Sequence, residues 1–136
     1  VPSQVDVYES EITRQKYAAA RGALAFDGKD THELWVFHGT APENVPRIMC
    51  GGFRIGGVDV GVTNGTALGL GVYAATGPDT PIHYSFDDAA ERQAVILARA
   101  LPGEVGAASH QGDSWRGGRD WWVFADSAQL VPVYVV

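Results

Sequence analysis

The sequence predicts a mixed α+β fold built on a split or curved sheet, and three observations carry that expectation. Apolar and β-branched segments recur as short strands at Glu33–His38, Val72–Tyr73, Ala94–Ala100, Trp121–Ala125 and Leu130–Val136. Only one long stretch shows helical spacing; the remaining helices are short. Between them, residues 56–71 are dense in glycine (Gly56, Gly57, Gly61, Gly65, Gly69 and Gly71), as in a long loop that depends on its backbone.

Taken in order, residues from about Val5 to Ala25 place Val7, Ile12, Tyr17, Ala20 and Leu24 at helical spacing, with Arg14, Lys16 and Arg21 between them. This reads as an amphipathic helix ending near Phe26-Asp27-Gly28. Glu33–His38 follows as a strand. Ala41-Pro42-Glu43-Asn44 opens a short helix, with proline and an acid in its first turn, and Gly51-Gly52 closes it. After the glycine-rich loop comes the strand around Val72-Tyr73, then helical turns near Pro81–Tyr84 and Asp87–Glu91. Ala94–Ala100 is a continuous apolar run, the pattern of a strand buried on both faces. Gly103–Arg119 reads as a polar, glycine-rich loop, and two strand segments close the chain.

The chain has 136 residues, 46% of them hydrophobic and 19% charged, which suits a single domain over residues 1–136 with its own core. A net charge of −6 argues against a nucleic-acid backbone as the main partner, although helix termini and a few arginines can still hold a small anion. Cys50 is the single cysteine, so neither an internal disulfide nor a cysteine metal cluster is expected. His32, His83 and His110 lack metal-ligand spacing. No apolar run reaches membrane-spanning length and no signal peptide is visible. The chain opens on Val1 rather than methionine, consistent with upstream sequence having been removed. Cytoplasm or nucleus is favoured over secretion, and oligomeric state is not fixed.

The chemistry concentrates in two segments. Val36-Phe37-His38-Gly39-Thr40 is an apolar strand that breaks into His-Gly-Thr, and Gly69-Leu70-Gly71-Val72-Tyr73-Ala74-Ala75 delivers a tyrosine beside glycines. Together with Gly52-Phe53-Arg54-Ile55, a second tyrosine at Tyr84, and the closing Gln129-Leu130-Val131-Pro132-Val133-Tyr134, these pieces resemble the poly(ADP-ribose) polymerase type of ADP-ribosyltransferase. The likeness spans about residues 35–136, and five pieces in one order are far more specific than His-Gly-Thr alone. It implies an ADP-ribosyltransferase-like fold of split, antiparallel-rich sheets. It also implies NAD as substrate, with no metal, and a mono-ADP-ribosyltransferase that cleaves the nicotinamide–ribose bond. The acceptor, protein or nucleic acid or water, is not indicated.

Residue by residue, the resemblance assigns His38 to a ribose hydroxyl and the Gly39 backbone to the nicotinamide amide. Tyr73 and Tyr84 would hold the ring between aromatic faces, with Thr40 and Arg54 toward the adenosine half. Either His38 or Tyr73 alone would be read as ordinary strand packing; the ordered set outweighs that reading. The family's glutamate, which bonds the ribose and positions the acceptor, falls on Trp121. An indole offers only an N–H donor. Asp120 is adjacent, yet alternation along a strand points it elsewhere unless a bulge at Arg119-Asp120 re-aims it. Asp113 is the other acid within reach, and a solvated loop aspartate is the simpler reading of each.

Glycosidic cleavage passes through an oxocarbenium-like state, and gripping the leaving group supplies part of its stabilisation. Chain elongation needs the glutamate, so single-unit transfer or hydrolysis is expected rather than polymer synthesis. Two other readings stand beside it: a catalytically inactive module that binds NAD or ADP-ribose, and an NAD-using RNA 2′-phosphotransferase. The second shares a His-Gly-Thr strand but needs basic and histidine motifs not found here. Trp35, Trp115, Trp121 and Trp122 read as core or cleft packing, with Trp115, if exposed, a contact for the acceptor. If Asp120 supplies the missing acid, Asp120→Asn cuts turnover and leaves NAD binding largely intact; equal turnover excludes it.

Overall fold

An eight-stranded sheet organises the described residues, which are 6–7, 10–55, 69–77, 94–117 and 120–136 of this computed structural model. Its strands are β1 (Asp6–Val7), β2 (Leu34–Thr40), β3 (Val72–Ala75), β4 (Ala94–Ala100), β5 (Val105–Gly106), β6 (Ser114–Arg116), β7 (Trp121–Phe124) and β8 (Leu130–Val135). In space they run β1-β8-β4-β2-β3-β7-β6-β5, antiparallel throughout except for β5 beside β6. With two α-helices, α1 (Glu11–Phe26) and α2 (Val45–Gly51), among the described residues, this is the expected α+β, antiparallel-rich fold.

The apolar run Ala94–Ala100 becomes the interior strand β4, paired with β2 from Leu34↔Ala100 to Thr40↔Ala94 and with β8 on its other edge. Pairing between β2 and β3, by contrast, is the single rung Phe37↔Ala75. The sheet therefore opens at this point between two halves joined by that rung.

Helix α1 starts later than its periodicity suggests. Asp6 and Val7 pair with Val135 and Tyr134, and the Ser10 side chain caps the helix by accepting from the Thr13 N–H. Ser10 Oγ also donates to the Cys50 carbonyl at 2.6 Å, tying the start of α1 to α2. The buried stripe is Thr13, Tyr17 and Leu24 rather than one passing through Val7 and Ile12; Ile12 is 51% exposed. Tyr17 and Leu24 pack on Leu101 and Val131. The Tyr17 hydroxyl donates to Glu33 at 2.7 Å, and burial together with that carboxylate pushes the phenol far above its usual range.

Ile48 and Met49 of α2, followed by Phe53 and Ile55, cover the other face, where they join Val36, Ile96, Val72 and Phe124 in the larger core. The 3-10 turn Pro42–Asn44 precedes α2 and places proline near the start, as the sequence suggests. Residues 103–119 are not simply a loop: β5 and β6 lie within them. Trp115 is buried at 2% exposure, which removes it as a contact for an acceptor. Trp35 is the tryptophan that faces outward; it stacks on Tyr134 at 6.1 Å, under the Arg99 guanidinium. The expected helical turns near 81–91 lie outside the described residues.

Gly71 enters β3 so close to β7 that an added Cβ would sit 2.5 Å from the Phe124 carbonyl oxygen and from Val123 Cγ1. Gly71→Ala should therefore destabilise the fold by about 1–3 kcal/mol through strand displacement. Urea unfolding at neutral pH measures this; an unchanged midpoint would refute the tight approach.

Candidate functional site

The site grows out of the split. Along β2 the ladder with β4 continues to Thr40, while on the other side it has already parted from β3. The His38 ring reaches across the opening, its Nδ1 2.7 Å from the Tyr73 carbonyl oxygen. A carbonyl can only accept, so Nδ1 carries the proton and Nε2 presents a lone pair. Phe53 meets the ring edge-on, centroids 4.9 Å apart at 74°. Burial lowers the His38 pKa below the ordinary 6.5, outweighing the opposite pull of the carbonyl bond, so the imidazole is neutral at physiological pH.

Tyr73 stands next to this histidine in β3. Its hydroxyl donates to the Gly69 carbonyl at 2.6 Å, which orients the ring against its own loop. Tyr73 pairs with Val123 and Ala75 with Trp121, so Tyr73 and Trp121 share one face of the β3–β7 ladder. Val72, Ala74, Trp122 and Phe124 take the opposite, core-facing side. The half-buried Trp121 thus occupies the Tyr73 face, where the resemblance places an acid.

Neither aspartate is directed to that position in this geometry. Thr76 N–H donates to the Asp120 carbonyl at 3.0 Å, extending the ladder one residue beyond Ala75↔Trp121 without a bulge between Asp120 and Trp121. Alternation then sends the exposed Asp120 to the face opposite Trp121. Arg119, the other half of the expected bulge, lies outside the described residues. Asp113 is committed elsewhere: its carboxylate is 3.1 Å from Lys29 Nζ and accepts from the Glu104 N–H at 2.9 Å, beside β6.

Gly39 is held in register with Val95. Thr40 is buried, and its Oγ1 accepts from Asn44 Nδ2 at 3.3 Å. Arg54 is exposed between the buried Phe53 and Ile55, a cation presented to solvent. Tyr84, expected to complete the aromatic pair, lies outside the described residues. The sequence reading missed Phe53 against His38, although Phe53 stands in the quoted Gly-Phe-Arg-Ile piece, which was used only for its arginine. It weighed His110 only as a metal ligand, whereas its ring nitrogen receives the Leu70 N–H at 3.3 Å; the glycine-rich surroundings carried no signal for that contact.

Residues 4–111, more than half of the chain, match the family described as the poly(ADP-ribose) polymerase catalytic domain. Among solved structures, the TASOR pseudo-PARP domain is similar at 16% identity and a TM-score of 0.75, over 97% of this chain and 79% of that one. The PARP domain of Arabidopsis RADICAL-INDUCED CELL DEATH1 is similar at 14% identity and a TM-score of 0.72, over 98% and 84%. At these identities both report the fold. No curated protein sequence matches significantly.

Two expectations follow from the geometry. Folded His38 takes up its proton at lower pH than the unfolded chain does, so on acidification below 6.5 the unfolded state is protonated first. Stability present above that pH is lost as pH falls through the folded pKa. His38→Gln should flatten this loss in denaturant titrations at pH 7.5 and 5.5, and an identical loss in both proteins would refute it. Asp120→Asn should leave the NMR titration of the His38 ring unchanged, since no carboxylate acts on that ring; a shifted titration would show that Asp120 reaches the cleft after all.

Proposed function

Because the chain belongs to the poly(ADP-ribose) polymerase catalytic-domain family, we propose that it binds NAD by its nicotinamide–ribose half and transfers single ADP-ribose units to an acceptor or to water. The observation that carries this reading is the His38–Tyr73 bond. It orients an imidazole whose Nε2 lone pair can accept a hydrogen bond from a ribose hydroxyl, and desolvation of the half-buried ring lowers its pKa and favours the neutral form. Gly39 supplies backbone for the amide of the nicotinamide, and the Tyr73 face supplies stacking. Thr40 and Arg54 serve the adenosine half, Arg54 as the exposed cation toward phosphate. Polymer synthesis is outside this reading, because Trp121 stands on the Tyr73 face where an acceptor-positioning carboxylate would be needed.

That same tryptophan favours a second reading, a module that binds NAD or ADP-ribose without turnover. The description of the similar TASOR domain as a pseudo-PARP points the same way.

Purified protein incubated with NAD, with nicotinamide followed by chromatography, separates the two. Under the transferase reading wild type releases nicotinamide well above His38→Ala. Under the binding reading neither releases it, yet wild type binds NAD saturably and His38→Ala binds about tenfold more weakly. Trp121→Glu, which restores a carboxylate, should raise release above wild type in either case. Absence of NAD binding by wild type would overturn both.

A further inference from the structure

The segment that carries Tyr73 is held by a residue the proposed function leaves unused. His110 lies in the turn between β5 and β6, closed by the Gln111 N–H donating to the Ala108 carbonyl. Its φ of 64° puts it in the left-handed region, a conformation that costs a non-glycine residue energy and that persists where surroundings enforce it. What surrounds it is specific. The ring tilts on the buried Trp115 at 5.3 Å, and Nε2 receives the Leu70 N–H at 3.3 Å. Gly69, with φ of 99°, lies so close that an added Cβ would be 3.0 Å from that Nε2 and 3.2 Å from Trp115 Cζ2.

The Leu70 N–H and the Gly69 carbonyl belong to one peptide group. His110 accepts at one end of it, and the Tyr73 hydroxyl donates at the other, at 2.6 Å. A peptide unit is planar and its two ends are polarised together, so fixing one end orients the other. We propose that His110 is a positioning residue: through the Gly69–Leu70 peptide it fixes the Tyr73 phenol, and with it the ring face offered to the nicotinamide of NAD. This inference rests on the NAD-binding reading above.

The test uses the full chain, with wild type and the variants His110→Gly, His110→Gln and His38→Ala. His110→Gly relieves the left-handed backbone while removing the imidazole, so it separates a clamp from a merely structural role. We expect His110→Gly to retain thermal stability, to exchange the Leu70 amide proton faster by NMR, and to bind NAD about three- to tenfold more weakly in calorimetry. His110→Gln keeps an acceptor at the right reach and should recover part of the affinity. Leu70 exchange unchanged in His110→Gly would overturn the clamp. Faster exchange with NAD affinity equal to wild type would overturn its link to the site. If wild type binds no NAD, the proposed function falls, and the exchange measurement by itself decides whether His110 holds the peptide.

Discussion

Where β2 leaves β3 after one rung, two strands that would otherwise satisfy each other are driven apart, and the Tyr73 carbonyl is left to find a donor in a side chain. His38 is that donor. A polar backbone group left unpaired in such a place costs on the order of 1–3 kcal/mol, so the fold itself requires a ring N–H here. The requirement has a chemical by-product: with one nitrogen committed, the other is a lone pair of known direction. The opening in the sheet, the tautomer of the histidine and the placement of Tyr73 are thus one arrangement.

The split is tolerable because packing on both faces holds the two halves in place. Tyr17 and Leu24 of α1 seat on Leu101 and Val131, and α2 with Phe53 and Ile55 closes the opposite face. Ser10 Oγ and Lys16 Nζ reach the carbonyls of Cys50 and Gly51, so the helices are stitched to one another as well as to the sheet. Phe53 belongs to both arrangements, being core on one side and the wall of the His38 ring on the other. On the far half, Lys29 and Asp113 join positions 84 residues apart and anchor the turn that precedes β6.

What was legible in the sequence tracks the range of the interactions involved. The run Ala94–Ala100 declared an interior strand, because burial on both faces leaves a continuous apolar signature. His38, Gly39 and Tyr73 were legible through ordered motifs, and Trp121 through its spacing from the closing strand. The start of α1 was misread because Val7 and Ile12 fit helical spacing by chance, while the pairing of Val7 with Tyr134 is long-range and has no local signature. β5 and β6 were invisible for the same reason: two and three residues in a polar, glycine-rich stretch become strands only through their neighbours. The position of His110 depends on a turn folding back onto Gly69, which no spacing rule encodes.

The pairing of β1 with β8 carries a mechanical consequence. Asp6 lies opposite Val135 and Val7 opposite Tyr134, so the N-terminal end of β1 and the C-terminal end of β8 lie at the same end of this short ladder. Tension applied through the flanking segments meets the rungs one after another, as in opening a zip, rather than shearing them together. The first element to yield is then the outermost strand, while the load has yet to reach β4, β2 and the histidine between the two half-sheets.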